Sequence, residues 1–407
     1  MEKIVNMKIL IVTEVFYPEN FLINDLATEL VKRGYEVEVM TRQPSYPEGY
    51  VYKEYSNDKY STECWNGIKI HRFKIIEGYK NSIVKKILNY YHYVSAGKKI
   101  ISKIINNVDL IFIHQTGPLT LALPAIYARK KYHIPTIIWS FDLWPDTVYM
   151  YGFPKFPPLT LYLDYIVKKV YQNVDKILVS SRNFIPSIQK YNNNVDIEYA
   201  PNWLKEEQST SSSISLPKNV TNFTFTGNIS IAQNLENVIK GFIKANIDTA
   251  VLNIIGDGSH IEKLKEIVKQ YQIRNIIFYG RVPSIEIQDI LKQSDFLILP
   301  LVSKEGIDKT EPFKIQSYLK AGKPILGVIK GAGKELIEKY NLGICSKPND
   351  IEDIAIGFKR ICKLSEKDIE EIKNNSAKLM SERFNRTYII NNIEHWITST
   401  NHKTLIS

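Results

Sequence analysis

Three cysteines in 407 residues, Cys64, Cys345 and Cys362, form no CxxC pair and no dense disulfide framework. The chain therefore reads as a cytoplasmic protein with incidental thiols in a reducing compartment. Its seven histidines show no zinc-ligand spacing. No D-x-D spacing, a carboxylate pair that commonly holds Mg²⁺ or Mn²⁺, occurs either. No stretch approaches the roughly 18–20 apolar residues of a spanning helix. The short apolar run 9–13 is followed at once by Glu14, Pro18, Glu19 and Asn20, so a secretory signal is not expected. The segment before Met7 is expected to be an alternative start or a disordered tail. No strand–GxGxxG–helix unit appears, which argues against a nicotinamide oxidoreductase. Acidic residues are absent from 78–108.

What is present is a large apolar fraction, 44%, in a chain longer than one usual domain. Charged residues make up 24%, and the net charge is +10. Strand-like and helix-like segments alternate. Residues 8–12 (KILIV) suit a buried parallel strand, 24–33 show helical spacing, and 36–41 (EVEVMT) form the next strand. That is a βαβ unit. Further strands are expected at 109–114, 136–140 and 176–181, with helical stretches between them. The polar, serine-rich run 208–215, followed by Pro217, reads as a linker, with a surface loop inside one domain as the alternative. A second βα series follows, with strands at 222–226, 250–255, 275–279, 295–300 and 324–328 and helices at 234–245 and 261–271. The expected class is α/β: two Rossmann-like doubly wound domains facing each other across a cleft. Domain limits are set at 1–205, a 206–220 linker and 221–385. A C-terminal helix within 386–407 is expected to return toward the first domain.

In the second half, glycines stand where strands end: Gly227 before Asn228, Gly256 before Asp257, and Gly280 before Arg281. Strand C-terminal ends line the ligand crevice of such sheets, and helix N-termini beyond them attract phosphate. One such glycine marks only a tight turn; three in succession point to a nucleotide. In the first half, Asp142 follows the 136–140 strand and His114 ends another. Asp142 reads as a polar group at the crevice or as a capping or turn residue. Asp146 reads as its companion or as a helix cap, and His114 as a site residue or a support behind the site.

The segment 311–326, EPFKIQSYLKAGKPIL, resembles the family 4 glycosyltransferases, which are retaining enzymes of GT-B fold. It is most similar to the subgroup that builds O-antigen and capsule repeats with N-acetylated deoxyaminosugars of the N-acetylfucosamine type. That subgroup's P-S-K-x-x-x-Y-x-A-x-G-K-P pattern is met by Pro312, Lys314, Tyr318, Gly322, Lys323 and Pro324. Residues 226–229 (TGNI) with 233–236 (QNLE), 16–19 (FYPE), 30–37 (LVKRGYEV), 44–47 (PSYP) and 142–146 (DLWPD) resemble further segments in the same order. Phe313 departs from the pattern's serine, and Lys320 interrupts a usually apolar run. Lys309 and Ser317 occupy the places of two family glutamates. The family's diphosphate-gripping Arg and Lys are missing, with Asn228 and Gln233 near their places. The resemblance implies a donor site built from Gly227, Asn228, Gly256, Asp257, Gly280, Arg281, Lys314 and Ser317. Lys314 would supply positive charge to the diphosphate. It implies catalytic roles for Asp142, Asp146 and His114, and acceptor binding by Pro18, Glu19 and Asn20. It also implies a nucleotide-sugar donor, UDP-linked, with no metal and no further cofactor.

The lysines of 80–103 alternate with large apolar side chains. Such a basic amphipathic helix fits an anionic membrane surface. A solvated helix face over an ordinary core is the alternative. A nucleic-acid surface is disfavoured, because no recognition-helix or RNA-binding aromatic pattern accompanies the lysines. The function expected is retaining hexosyl transfer to an undecaprenyl-diphosphate-linked saccharide, by a protein lying at the inner face of the cell membrane. A nucleotide-sugar epimerase of similar architecture is the alternative enzyme, and a non-catalytic sugar-nucleotide-binding scaffold the alternative of another class.

Overall fold

The computed structural model describes residues 7–150, 152–205, 210–304 and 306–406. The readings for the segment before Met7 and for 206–209 lie outside the described residues. The chain divides into two compact units, Met1–Asn202 with Thr387–Ser407, and Trp203–Arg386.

The first unit holds β1 (Lys8–Thr13), β2 (Glu36–Arg42), β3 (Ser61–Trp65), β4 (Ile68–Phe73), β5 (Leu110–Gln115), β6 (Thr136–Ser140), β7 (Lys176–Val179) and β8 (Asp196–Tyr199). They form one sheet in the order β3-β4-β2-β1-β5-β6-β7-β8. Every pairing is parallel except β3 with β4. β1 is buried along nearly its whole length, as a central parallel strand covered on both faces must be. Leu10 and Val12 join one core with Ile111 and Ile113 of β5. Onto that core pack the helices Ile83–Ile104, Leu123–Tyr132 and Pro157–Tyr171, through Tyr93, Ile126 and Ile166 among others. Ile9 and Ile11, equally buried, alternate to the other face.

The second unit holds β9 (Thr221–Thr226), β10 (Ala250–Ile255), β11 (Ile276–Gly280), β12 (Phe296–Pro300), β13 (Ile325–Val328) and β14 (Gly343–Ser346). Their order is β11-β10-β9-β12-β13-β14, parallel throughout. In both sheets the order reverses beside the first strand of the series, at β1/β5 and at β9/β12. Those are the topological switch points where doubly wound sheets take ligands.

The β3–β4 hairpin, β8 and β14 were not expected from the sequence pattern. The unit boundary falls at Asn202, ahead of the expected 206–220 linker. The reason is that 210–216 are laid along the second unit's own helix Ile287–Gln293 and the turn before it. Ser212 N donates to Asp289 (2.9 Å), Ser213 N to Glu286 (2.8 Å) and Leu216 N to Gln293 (3.0 Å). Leu216 is buried against Ile290.

Candidate functional site

In the second unit, β9 and β12 pair only through Phe296 with Phe223 and Leu297 with Thr224. Beyond that the strands part, and the Tyr318 hydroxyl fills the gap. It accepts from Thr226 N at 3.3 Å and donates to Ile298 O at 3.0 Å. Tyr318 belongs to the helix Lys314–Ala321, whose first residue is Lys314.

Lys314 reaches back under Gly227. A β-carbon on Gly227 would lie 2.3 Å from the lysine Cε, so only glycine leaves it room. The ammonium donates to Gln233 Oε1 and sits 4.8 Å from the centre of the Phe225 ring. Among the described residues no carboxylate pairs with it. Burial pulls its pKa down to about 7. The helix N-terminus adds its own positive field at the same place. A cation held without a counter-ion against a glycine and a helix N-terminus is a place for an anion.

The expected glycines are laced together at this rim. Gly227 N donates to Ile255 O (2.9 Å) and Gly256 N to Gly280 O (2.8 Å). Gly256 has φ +135°, and a β-carbon there would strike Gly227 O at 1.9 Å. Asn228, Asp257 and Arg281 are exposed beside them. Asp257 is partly spent on its own turn, accepting from Gly258 N at 2.7 Å. Ser317, one turn after Lys314, shares its helix face. It stands where the resemblance expects a glutamate.

In the first unit the rim gathers around β1 and β5. Thr13 and His114 are register partners, and their Oγ1 and Nδ1 lie 3.1 Å apart. His114 is 3% exposed, enclosed by Trp139 and Phe141, and burial lowers its pKa to about 3. It is therefore a neutral ring behind the rim rather than an acid on it. Asp142 stays partly exposed. Burial, and then the charge of Glu14, raise its carboxyl to about 7. Asp146 opens the short helix Asp146–Met150.

Glu19, expected to bind acceptor, is buried, and its carboxylate is taken up by the backbone. It accepts from Ser45 N (2.8 Å), Tyr46 N (2.7 Å) and Phe16 N (3.3 Å). Burial raises its pKa, opposed by Arg42 and by those amides. Its work is to tie two loops together, leaving Pro18 partly exposed and Asn20 exposed.

The sequence reading passed over Glu14 and Arg42. Arg42 is buried, 3.4 Å from the Glu14 carboxylate, and its Nε donates to Glu14 O at 3.2 Å. Burial opposes its charge, but Glu14, Tyr79 and Glu19 hold it protonated. Gly117 sits so close that a β-carbon would lie 2.6 Å from the Glu14 carboxylate. The available signal was position: Glu14 follows β1 as Asp142 follows β6, both at strand C-terminal ends.

Two family models divide the chain. "Glycosyltransferase Family 4" matches residues 21–208, and "Glycosyl transferases group 1" matches 206–379. The chain is accordingly a glycosyltransferase of the GT-B fold, with one Rossmann-like domain from each family. It is 23% identical over 384 residues to the putative colanic acid biosynthesis glycosyl transferase WcaI of Escherichia coli, covering 87% of this chain and 92% of that one. It is 24% identical over 267 residues to the probable glycosyltransferase WbjE of Pseudomonas aeruginosa, covering 62% and 66%. In fold it is similar to sucrose-phosphate synthase from Thermosynechococcus elongatus (TM-score 0.73, 13% identity, 97% and 98% covered). It is also similar to HepE from Anabaena in complex with UDP (TM-score 0.71, 14% identity, 97% and 100% covered).

Proposed function

We propose that this protein moves a sugar from a UDP-sugar to a lipid-linked saccharide, an undecaprenyl-diphosphate sugar, in surface polysaccharide synthesis. The anomeric configuration is retained and no divalent metal takes part. The observation that carries the reading is Lys314, half-buried beneath Gly227 with no acid paired to it among the described residues. A departing nucleoside diphosphate gains negative charge as the glycosidic bond breaks. A fixed cation and a helix N-terminus aimed at it lower the barrier. Ser317, on the same helix face, is assigned to the ribose. Asn228, Asp257 and Arg281 are assigned to the outer edge of the donor.

Support comes from two similar proteins, WcaI, a putative colanic acid biosynthesis glycosyl transferase, and HepE, whose structure is a complex with UDP. The missing D-x-D favours a metal-free site, since the cation is supplied by protein. Retention rests on the family resemblance. Glu14, Arg42 and Asp142 are assigned to sugar handling in the first domain, beside Pro18 and Asn20. The lysine-rich helix Ile83–Ile104 is assigned to the anionic inner face of the membrane. No described helix is long and apolar enough to cross one.

Turnover of UDP-sugars in excess chelator, with NMR of the product anomer, tests this. Retained configuration is expected, at a rate Lys314→Ala lowers by about a hundredfold, the scale of one charge-assisted contact at a developing anion. Activity that needs Mg²⁺ or Mn²⁺, an inverted product, or product without any acceptor would each overturn the corresponding part.

A further inference from the structure

Two apolar projections stand on the first domain. The first is the start of the helix Ile83–Ile104. Its first six residues are all exposed, so two helical turns project instead of packing. Ile83, Val84, Ile87, Leu88 and, a turn later, Tyr91 are 49–75% exposed. The second runs from residue 153 into the helix Pro157–Tyr171. There Phe153, Phe156, Leu161, Tyr162 and Tyr165 are 42–69% exposed. Ten large apolar side chains in two clusters exceed the scatter of single exposed residues that any surface shows.

Both projections lie on the same side of the fold. β4 and β6 are parallel members of one sheet, and the helices that follow them start at its C-terminal rim. Both helices bury residues in the same core, on one face of that sheet. Tyr165 lies within the field of Lys98 and Lys130, which ties the second helix to its neighbours on that face. Glu14, His114 and Asp142 stand at the same rim.

Their charge is of one sign. Lys85 and Lys86 accompany the first projection, and Lys155, Lys168 and Lys169 the second. No acid occurs in 78–108, and 147–174 contains only Asp164, whose carboxylate accepts from Tyr191 at 2.7 Å. Lysine over tyrosine recurs between them: Lys98 and Lys131 at Tyr127, Lys169 at Tyr165. Apolar tips below, tyrosine and lysine above, is the layering of an interfacial membrane element. Two copies of such a surface would repel each other, whereas an anionic bilayer attracts both projections.

We propose that the loop and helix start around Phe153 and Phe156 form a second bilayer-inserting element, which with the 83–91 tip seats the first domain's C-terminal rim on an anionic membrane. This rests on the peripheral-membrane reading above and adds a second contact and an orientation to it. The rim carrying Asp142 then faces lipid, where a polyprenyl-linked acceptor is held.

The test is flotation of the full chain with phosphatidylcholine vesicles containing phosphatidylglycerol, at low salt. Three variants are compared with the parent: Phe153→Ser with Phe156→Ser, Ile83→Ser with Ile87→Ser, and all four together. Each double variant is expected to lose about tenfold in partitioning, and the quadruple about a hundredfold, with UDP affinity unchanged. Because these side chains are exposed, melting temperatures should match the parent and so exclude misfolding. If the phenylalanine pair partitions like the parent while the isoleucine pair does not, the second element is wrong and the peripheral reading survives. If no variant differs, both fail. A parent that dimerises without lipid, and becomes monomeric on loss of Phe153 and Phe156, would assign the surface to a second copy and overturn the proposal.

Discussion

At the scale of single residues, Lys314 has the most measurable consequences. Burial holds its free-state pKa near 7, and a bound diphosphate would return it toward the ordinary lysine value. Above pH 7 binding must therefore take up a proton. UDP affinity is expected to fall as pH rises from about 7 to about 9, by up to about tenfold per unit. UDP itself is already about nine-tenths ionised at pH 7 and changes little above it, since a phosphate's second pKa is about 6. Calorimetry in buffers of different ionisation heat reads both the affinity and the proton uptake. Lys314→Arg, which stays charged, should flatten the profile; a flat profile in the parent would place Lys314 away from the phosphate. Lys314, Gly227 and Gly256 were legible in sequence because strand-end glycines and the PFKIQSY match mark positions. The roles of Glu19 and His114 were not, because sequence does not say whether a polar side chain at a rim faces solvent or its own backbone. Nor did it flag Glu14, which has no motif around it and gains its meaning from Arg42, twenty-eight residues away.

Among elements, the β9–β12 junction depends on a side chain from a third. The Tyr318 hydroxyl bonds Thr226 N and Ile298 O where the two strands no longer pair. Tyr318→Phe would leave two buried backbone groups unsatisfied, costing about 1–3 kcal/mol. It should also loosen Gly227, next in chain to Thr226, and with it the seat of Lys314. Urea unfolding and UDP calorimetry together check this: both stability and affinity should drop. A stability loss with unchanged affinity would separate the splint from the site. Ten of the fourteen described strands were legible as short apolar runs. The β3–β4 hairpin was legible too and was passed over. Asn66 and Gly67, both at positive φ, form the two-residue turn between TECW and IKIHRF, and Asn-Gly is the strongest short hairpin signal. The edge strands β8 and β14 are four residues each, too short for periodicity to separate from loop.

For the whole molecule, the division into units makes the two domains unequal in their dependence on the chain's end. The second unit is one continuous segment with its own cores and its own candidate donor site. The first is completed by Thr387–Ser407. Ile389, Ile390, Ile393 and Ile397 of that last helix are at most 2% exposed, and Arg33 donates to Asn391 (2.8 Å) and Glu394 (2.5 Å). Four buried isoleucines amount to on the order of 6–12 kcal/mol of apolar burial, an upper figure because the unfolded chain is itself compact. That is comparable with the roughly 5–15 kcal/mol that holds a typical domain. Truncation after Arg386 should therefore unfold the first domain and spare the second. Calorimetric melting of the parent with and without UDP identifies which transition the ligand raises. In the truncated chain that UDP-sensitive transition should remain and the other should vanish, with UDP affinity retained. If both transitions survive truncation, the last helix is an accessory layer, and the first domain folds on Met1–Asn202 alone.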